Sequence, residues 1–118
     1  MNIQFDEKNR VFKLDTEHTS YVMAVVDNEG FLGHVYYGAK ISDTDVAYLL
    51  RTDENPMVPS KNNRDRSSFL DTFPMEYPGN GVGDYRESVI AVLDKNGHSA
   101  VQFFYRSHQI FDGKKKIP

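Results

Sequence analysis

Apolar and aromatic residues along this chain come in short blocks rich in Val, Ile, Tyr and Phe, separated by clusters of Asp, Asn and Gly. Blocks of that kind predict β-strands, and helical spacing is scarce. Val11-Phe12-Lys13-Leu14 alternates apolar with polar positions, whereas Tyr21-Val22-Met23-Ala24-Val25-Val26 is apolar on both faces. A strand of the second kind needs cover on both sides, which implies a second sheet. Asp27-Asn28-Glu29-Gly30 offers an Asx-type turn and a glycine able to take positive φ, so residues 31–37 should return antiparallel as the partner of 21–26. A second hairpin is predicted from residues 88–93 and 99–105, which flank Asp94-Lys95-Asn96-Gly97-His98 with its Asn-Gly step. Residues 43–50 fit either a short helical turn capped by an aspartate or a strand entering from a loop. Two irregular stretches interrupt the strands: 51–63 with two prolines, and 73–86 with two prolines and three glycines. The first is long for a connection inside a compact domain, and such loops commonly carry function.

Composition narrows the possibilities. A chain of 118 residues with 39% hydrophobic content has room for one domain with one modest core. Fourteen Lys+Arg against seventeen Asp+Glu leave a net charge of −3, which argues against nucleic acid or an anionic membrane as partner. Cysteine is absent, removing disulfides, thiolate zinc sites and cysteine nucleophiles, and this fits a cytoplasmic protein. The N-terminus meets charge by Asp6, and no apolar run approaches the ~20 residues of a membrane span.

Candidate chemistry is sparse. Asp43 with Asp45, Asp53 with Glu54, and Asp71 with Glu76 are the carboxylate pairs available for acid–base work, but 26% charged residues produce close acidic neighbours by composition alone. Asp71 and Glu76 each lie beside a Pro-containing turn, where a carboxylate can accept backbone N–H bonds and hold an irregular loop. The glycines before Asp84-Tyr85-Arg86 invite a phosphate-cradle reading, which fails because no Gly-Lys-Ser/Thr step or following helix is predicted. Arg86 is better suited to pair with Asp84, Glu76 or Asp71 and lock the loop. His18, His34, His98 and His108 are too scattered for a metal motif, so no metal and no cofactor is expected, and His34 reads as a packed or hydrogen-bonded strand residue. Tyr36, Tyr37, Tyr77, Tyr85 and Tyr105 have faces suited to sugar rings, yet with seven Tyr, eight Phe and no Trp most aromatics must fill the core.

In the second irregular stretch, Phe69-Leu70-Asp71-Thr72-Phe73-Pro74-Met75-Glu76-Tyr77-Pro78 followed by Gly81-Val82-Gly83-Asp84-Tyr85-Arg86 resembles a signature near the start of bacterial α-galactosidases of glycoside hydrolase family 36. Phe12-Lys13-Leu14-Asp15-Thr16 with Thr19-Ser20-Tyr21, then Leu32-Gly33-His34-Val35-Tyr36-Tyr37-Gly38, and Tyr105-Arg106-Ser107-His108 ending in Gly113-Lys114, are similar to the same family in order and spacing. One departure is visible: members typically read D-R-T-F-S-L-D where this chain has Asp65-Arg66-Ser67-Ser68-Phe69-Leu70-Asp71, displacing an aromatic by one position.

The resemblance implies an all-β antiparallel sandwich, spanning residues 1–118, that forms part of a galactose-mutarotase-like supersandwich ahead of a catalytic (β/α)₈ barrel absent from this chain. It implies that the parent protein hydrolyses terminal α-galactosyl residues of oligosaccharides by a retaining mechanism using two barrel aspartates, with no catalytic residue here. It further implies a homo-oligomer in which the first loop reaches a neighbouring subunit's galactose pocket, with Asp53 and Arg66 as the substrate-binding acid and base. Asp71, Glu76, Tyr77, Asp84, Tyr85 and Arg86 become structural motif residues. The alternative is a free-standing, lectin-like carbohydrate-binding sandwich.

Overall fold

The computed structural model describes residues 2–26, 28–42, 46–50, 74–81 and 86–116. Its centre is a four-stranded antiparallel meander, β1 (Asn2–Asp6), β2 (Val11–Asp15), β3 (Thr19–Val26) and β4 (Phe31–Ala39), neighbouring in that order. Local chemistry closes the turns. Asp6 Oδ1 accepts the amides of Lys8 at 2.9 Å and Asn9 at 3.3 Å before β2, and Thr16 Oγ1 accepts the amide of Thr19 at 3.0 Å before β3, both side-chain mimics of a backbone turn. Gly30 takes φ 80° ahead of β4, a conformation that a Cβ would strain. The predicted return of residues 31–37 on 21–26 is therefore present. β1 was not predicted, although Ile3 and Phe5 alternate with polar neighbours and pair with Leu14 and Phe12.

Cross-strand partners share a face, so Val11 with Ala24, Lys13 with Val22 and Asp15 with Ser20 mark one side of the sheet. Val11, Val22 and Ala24 pack there with Val46, joined by Ile41 and Leu50. The segment leading into a 3₁₀ turn at Ala47–Leu49 thus covers this face, which resolves the choice between helical turn and strand toward the former. On the opposite side Phe5 and Phe12 lie 4.4 Å apart, and the ring of His108 closes over both at 4.3 and 4.7 Å. β3 is covered on both sides as its composition demands, but among the described residues the second layer is irregular chain and not a second sheet.

Two polar residues of β2 are buried, against the expectation that a polar position in an alternating strand faces water. Lys13 Nζ lies 2.8 Å from Asp15 Oδ2, Ser20 Oγ donates to Asp15 Oδ1 at 2.6 Å, and the Ile41 amide donates to Ser20 Oγ at 3.0 Å. A buried ion pair survives only when its remaining hydrogen-bonding capacity is met, and here β3 and the covering segment supply the missing partners. The Lys13 ammonium, followed by the Ser20 hydroxyl, holds the Asp15 carboxyl below the usual carboxylate range.

The second predicted hairpin forms its turn but not its ladder. Its turn closes, with Gly97 N–H donating to Asp94 O and Asp94 N–H to His98 O, both at 3.0 Å, and Asp94 Oδ1 taking the amides of Asn96 and His98. The arms, however, form no ladder with each other. Val89 N–H donates to Pro78 O, Val101 N–H to Asn80 O and Tyr105 N–H to Gly30 O. Turn geometry is set within five residues, whereas a two-stranded ladder needs a surface on which to bury one face. Val89, Ile90, Val92 and Leu93 are exposed, so that surface is missing for the first arm.

Phe31, 1% exposed, joins the layers: Val26, Leu50 and Met75 pack against it, and the ring of Phe104 lies 5.1 Å away. Phe31→Ala is expected to cost about 3–5 kcal/mol of unfolding free energy, measured by urea denaturation, whereas truncating exposed Leu93 to Ala should change stability by less than ~1 kcal/mol.

Candidate functional site

Residues 74–76 of the second irregular stretch dock on the outer edge of β4. His34 N–H donates to Pro74 O at 2.6 Å and Glu76 N–H donates to Leu32 O at 2.9 Å, enclosing an antiparallel bridge between Gly33 and Met75. Proline suits the position, because its missing N–H is no loss at the end of such a short pairing. Farther along, a Cβ on Gly79 would sit 2.0 Å from the Val101 carbonyl oxygen. Only glycine allows that approach, which lets Asn80 O accept the Val101 amide at 2.8 Å.

Glu76 is the polar centre of the arrangement. Tyr21 Oη donates to Glu76 Oε2, and His34 Nδ1 stands 2.7 Å from Glu76 Oε1. A carboxylate only accepts, so His34 presents its Nδ1–H. The Tyr21 and His34 rings meet edge-on at 5.3 Å, and Tyr37 lies 5.9 Å from Tyr21. These side chains share a face because of a β-bulge. Val22 pairs with Tyr36 but Met23 pairs with His34, leaving Val35 as an extra residue in β4. In an unbroken strand His34 and Tyr37 would point to opposite faces.

The Glu76 side chain is 14% exposed and that of His34 38%. Next to Glu76 in sequence, Met75 and Tyr77 line an apolar recess of about 240 Å³ together with Leu32, Phe103, Phe104 and Tyr105. Tyr77 stands edge-on to Phe103 at 5.2 Å. The recess is lined by aromatic rings, aliphatic carbon and the Met75 thioether, with Tyr77 and Tyr105 as its residues bearing a hydroxyl, and it holds no carboxylate or imidazole in its lining. Among the described residues no cluster of His, Asp and Glu could hold a metal ion, and no helix is long and apolar enough to cross a membrane.

Glu76 and Tyr77 are thus placed in the docked segment, Glu76 half-buried and Tyr77 exposed. The Glu76 carboxylate meets side chains of β3 and β4, Tyr21 and His34. Arg86 is half-buried. Asp53, Arg66, Asp71, Asp84 and Tyr85 lie outside the described residues, as do Asp43, Asp45 and Glu54. Sequence reasoning missed the joining of Tyr21 and His34 to Glu76, since 55 and 42 residues separate them from it and no spacing rule spans that distance.

Residues 30–118 match the model of the glycosyl hydrolase family 36 N-terminal domain. The bifunctional alpha-galactosidase/sucrose kinase AgaSK of Mediterraneibacter gnavus is 33% identical over 99% of this chain and 12% of its own length. Alpha-galactosidase AgaA of Geobacillus stearothermophilus is 30% identical over 99% of this chain and 16% of its own. The solved galactosidase domain of AgaSK superposes with a TM-score of 0.85 at 32% identity, over 98% of this chain and 16% of that one. An AgaA variant in complex with raffinose superposes with a TM-score of 0.76 at 32% identity, over 90% and 15%. The chain therefore spans 12% and 16% of the two curated relatives it was compared with.

Burial, followed by the hydrogen bond to Glu76 and the charge of its carboxylate, pushes the Tyr21 phenol up to about 12. A pKa raised in the folded state stabilises the fold below the unfolded value, near 10, and that contribution is lost as pH rises through the folded value. Solvent screening limits the effect, so unfolding free energy should fall by about 1–2 kcal/mol between roughly pH 10 and 12. Tyr21→Phe should remove that part of the alkaline slope, read by denaturant titration of both proteins across the range.

Proposed function

This chain belongs to the N-terminal domains of glycosyl hydrolase family 36, and from that premise we propose that it is the non-catalytic leading domain of an α-galactosidase. The parent protein would remove terminal α-galactosyl residues from oligosaccharides of the raffinose and stachyose kind. The match of nearly the whole chain to alpha-galactosidases that are several times longer carries this reading, and family structures in complex with raffinose and stachyose support the substrate class. The same observation weighs against a free-standing lectin-like module.

Retaining hydrolysis requires two carboxyl groups about 5–5.5 Å apart, one with a raised pKa. Of the carboxylates with reduced exposure, Glu76 has both oxygens engaged and the buried Asp15 is paired to Lys13. Neither faces the other across an open cleft. We assign the acid and the nucleophile to a downstream (β/α)₈ barrel, and to this domain three supporting roles: bracing that barrel, contributing to a cytoplasmic oligomer, and offering Asp53 and Arg66 to sugar hydroxyls. A short carboxylate and a forked guanidinium suit bidentate contacts to vicinal hydroxyls.

The purified 118-residue chain is expected to show no turnover of a chromogenic α-galactoside. Turnover abolished by changing one of its own carboxylates would refute the assignment. In the full-length protein Asp53→Ala or Arg66→Ala should lower kcat/KM by about 1–3 kcal/mol of transition-state binding with thermal stability nearly unchanged. Wild-type kinetics in both variants would return the pair to an ordinary solvated loop.

The isolated chain is also expected to self-associate. Val89, Ile90, Val92, Leu93, Ile110 and Phe111 expose apolar surface, and open arms beside such surface associate readily, most often about a two-fold axis. Light scattering over a concentration series checks this, and a clean monomer at high concentration would contradict it.

A further inference from the structure

Two Asn-Gly steps occur in the sequence, Asn80-Gly81 and Asn96-Gly97, and the fold treats them differently. An asparagine followed by glycine can cyclise, because a glycine without a Cβ leaves its backbone nitrogen open to the asparagine side-chain carbon. The reaction needs the peptide plane between the two residues to rotate until that nitrogen faces that carbon. What holds each plane therefore sets how readily each step reacts.

Asn80 is fixed from outside its own segment. Its carbonyl oxygen, in the same plane as the Gly81 nitrogen, accepts the Val101 amide at 2.8 Å. On one side of it Gly79 is buried against the Val101 carbonyl, where a Cβ would sit 2.0 Å from the oxygen, and on the other a Cβ on Gly81 would sit 3.0 Å from that of Ala100. Asn96 stands instead at a tip where Lys95, Asn96, Gly97 and His98 are all exposed, and a Cβ on Gly97 would meet nothing within 4 Å. Its plane is held by Gly97 N–H to Asp94 O at 3.0 Å, and its own amide by Asp94 Oδ1 at 2.8 Å. These bonds begin and end within residues 94–98, and the flanking arms form no ladder with each other. The tip can therefore open without disturbing the sheet.

We propose that Asn96 is a site of spontaneous modification, where the chain converts to a mixture of aspartate and isoaspartate with water as the reactant. The Gly97 nitrogen loses its proton to solvent base and bonds to Asn96 Cγ, the side-chain nitrogen leaves as ammonia, and a cyclic succinimide remains. Water then opens the ring. Attack at Cγ gives aspartate with the original backbone, whereas attack at the Asn96 backbone carbonyl gives isoaspartate, with the chain routed through the side chain and lengthened by a methylene. Either product adds a negative charge to a chain whose net charge is −3 and places it beside the Asp94 carboxylate. Isoaspartate also shifts the Gly97 amide away from Asp94 O, so the turn that closes in the unmodified chain loses its register.

The test incubates the full-length protein at mildly alkaline pH and follows both asparagines by peptide mapping, with isoaspartate told from aspartate by fragmentation in the mass spectrometer. In native buffer Asn96 should convert about tenfold or more faster than Asn80, and in denaturing urea the two rates should come within about threefold, since only the shared Asn-Gly step remains. Equal rates in native buffer would overturn the proposal. A preference of the same size in urea would also overturn it, by tracing the difference to neighbouring residues and not to the fold. Asp94→Ala removes the carboxylate that accepts the Asn96 and His98 amides, and should raise the Asn96 rate about threefold or more with Asn80 as in wild type. An unchanged Asn96 rate in that variant would refute the turn as the element that sets it. The comparison of native and urea rates needs no variant and decides the proposal even if Asp94→Ala unfolds.

Discussion

The outer edge of β4 is the constraint on which the rest of the arrangement depends. An antiparallel sheet ends in a strand with unsatisfied N–H and C=O groups, which must be paired, covered or left as an association site. In this domain the Pro74-Met75-Glu76 step closes part of that edge, and its position determines much else. Met75 comes to rest on Phe31 beside Leu50, Tyr77 comes to line the apolar recess with Phe103, and Gly79 brings the chain into backbone contact with Val101. The irregular layer meets the sheet at this edge and again where Tyr105 N–H donates to Gly30 O and the His108 ring covers Phe5 and Phe12.

Two departures from simple strand rules accompany this arrangement, one on each face of the sheet. The extra residue at Val35 changes the phase of β4, bringing His34 to the side where Tyr21 already faces. On the other side of the sheet, Lys13 and Asp15 occupy positions that a uniformly apolar face would give to aliphatic residues. Such a pair contributes little net stability, because the desolvation of two charges offsets their attraction. It does discriminate between registers: a slip of β2 against β3 would carry Asp15 away from Ser20 and leave a buried carboxylate short of a donor.

The apolar surface that stays exposed is informative in another way. The domain measures 44 × 39 × 22 Å with a radius of gyration of 15.8 Å, above the roughly 13.5 Å of a compact domain of this length. Its 89–93 arm carries strand-forming residues with their side chains in solvent. Both features agree with a domain that occupies a small share of the proteins it resembles.

Much of the fold was legible in the sequence. Alternation in β2, the doubly apolar β3, the Gly30 turn and the Asp94–His98 turn all follow from interactions between residues close along the chain, where side-chain type and backbone preference act directly. The family was legible too, since the order of its motifs survives as written text. The failure of the 88–93 and 99–105 arms to pair was not legible, because a ladder depends on what covers its face and not on the residues within it. Nor was the meeting of Tyr21, His34 and Glu76. It is created by a one-residue bulge and by a strand edge that captures a segment some forty residues away, and a hydrogen bond of that kind is decided by where two distant backbones come to lie. Sequence alone therefore determined β2, β3 and β4, the turns at Gly30 and at Asp94–His98, and the kinship; the tertiary structure decided which edge is closed, which face His34 presents, and which charges are buried, because each depends on contacts between residues that have no proximity until the chain is folded.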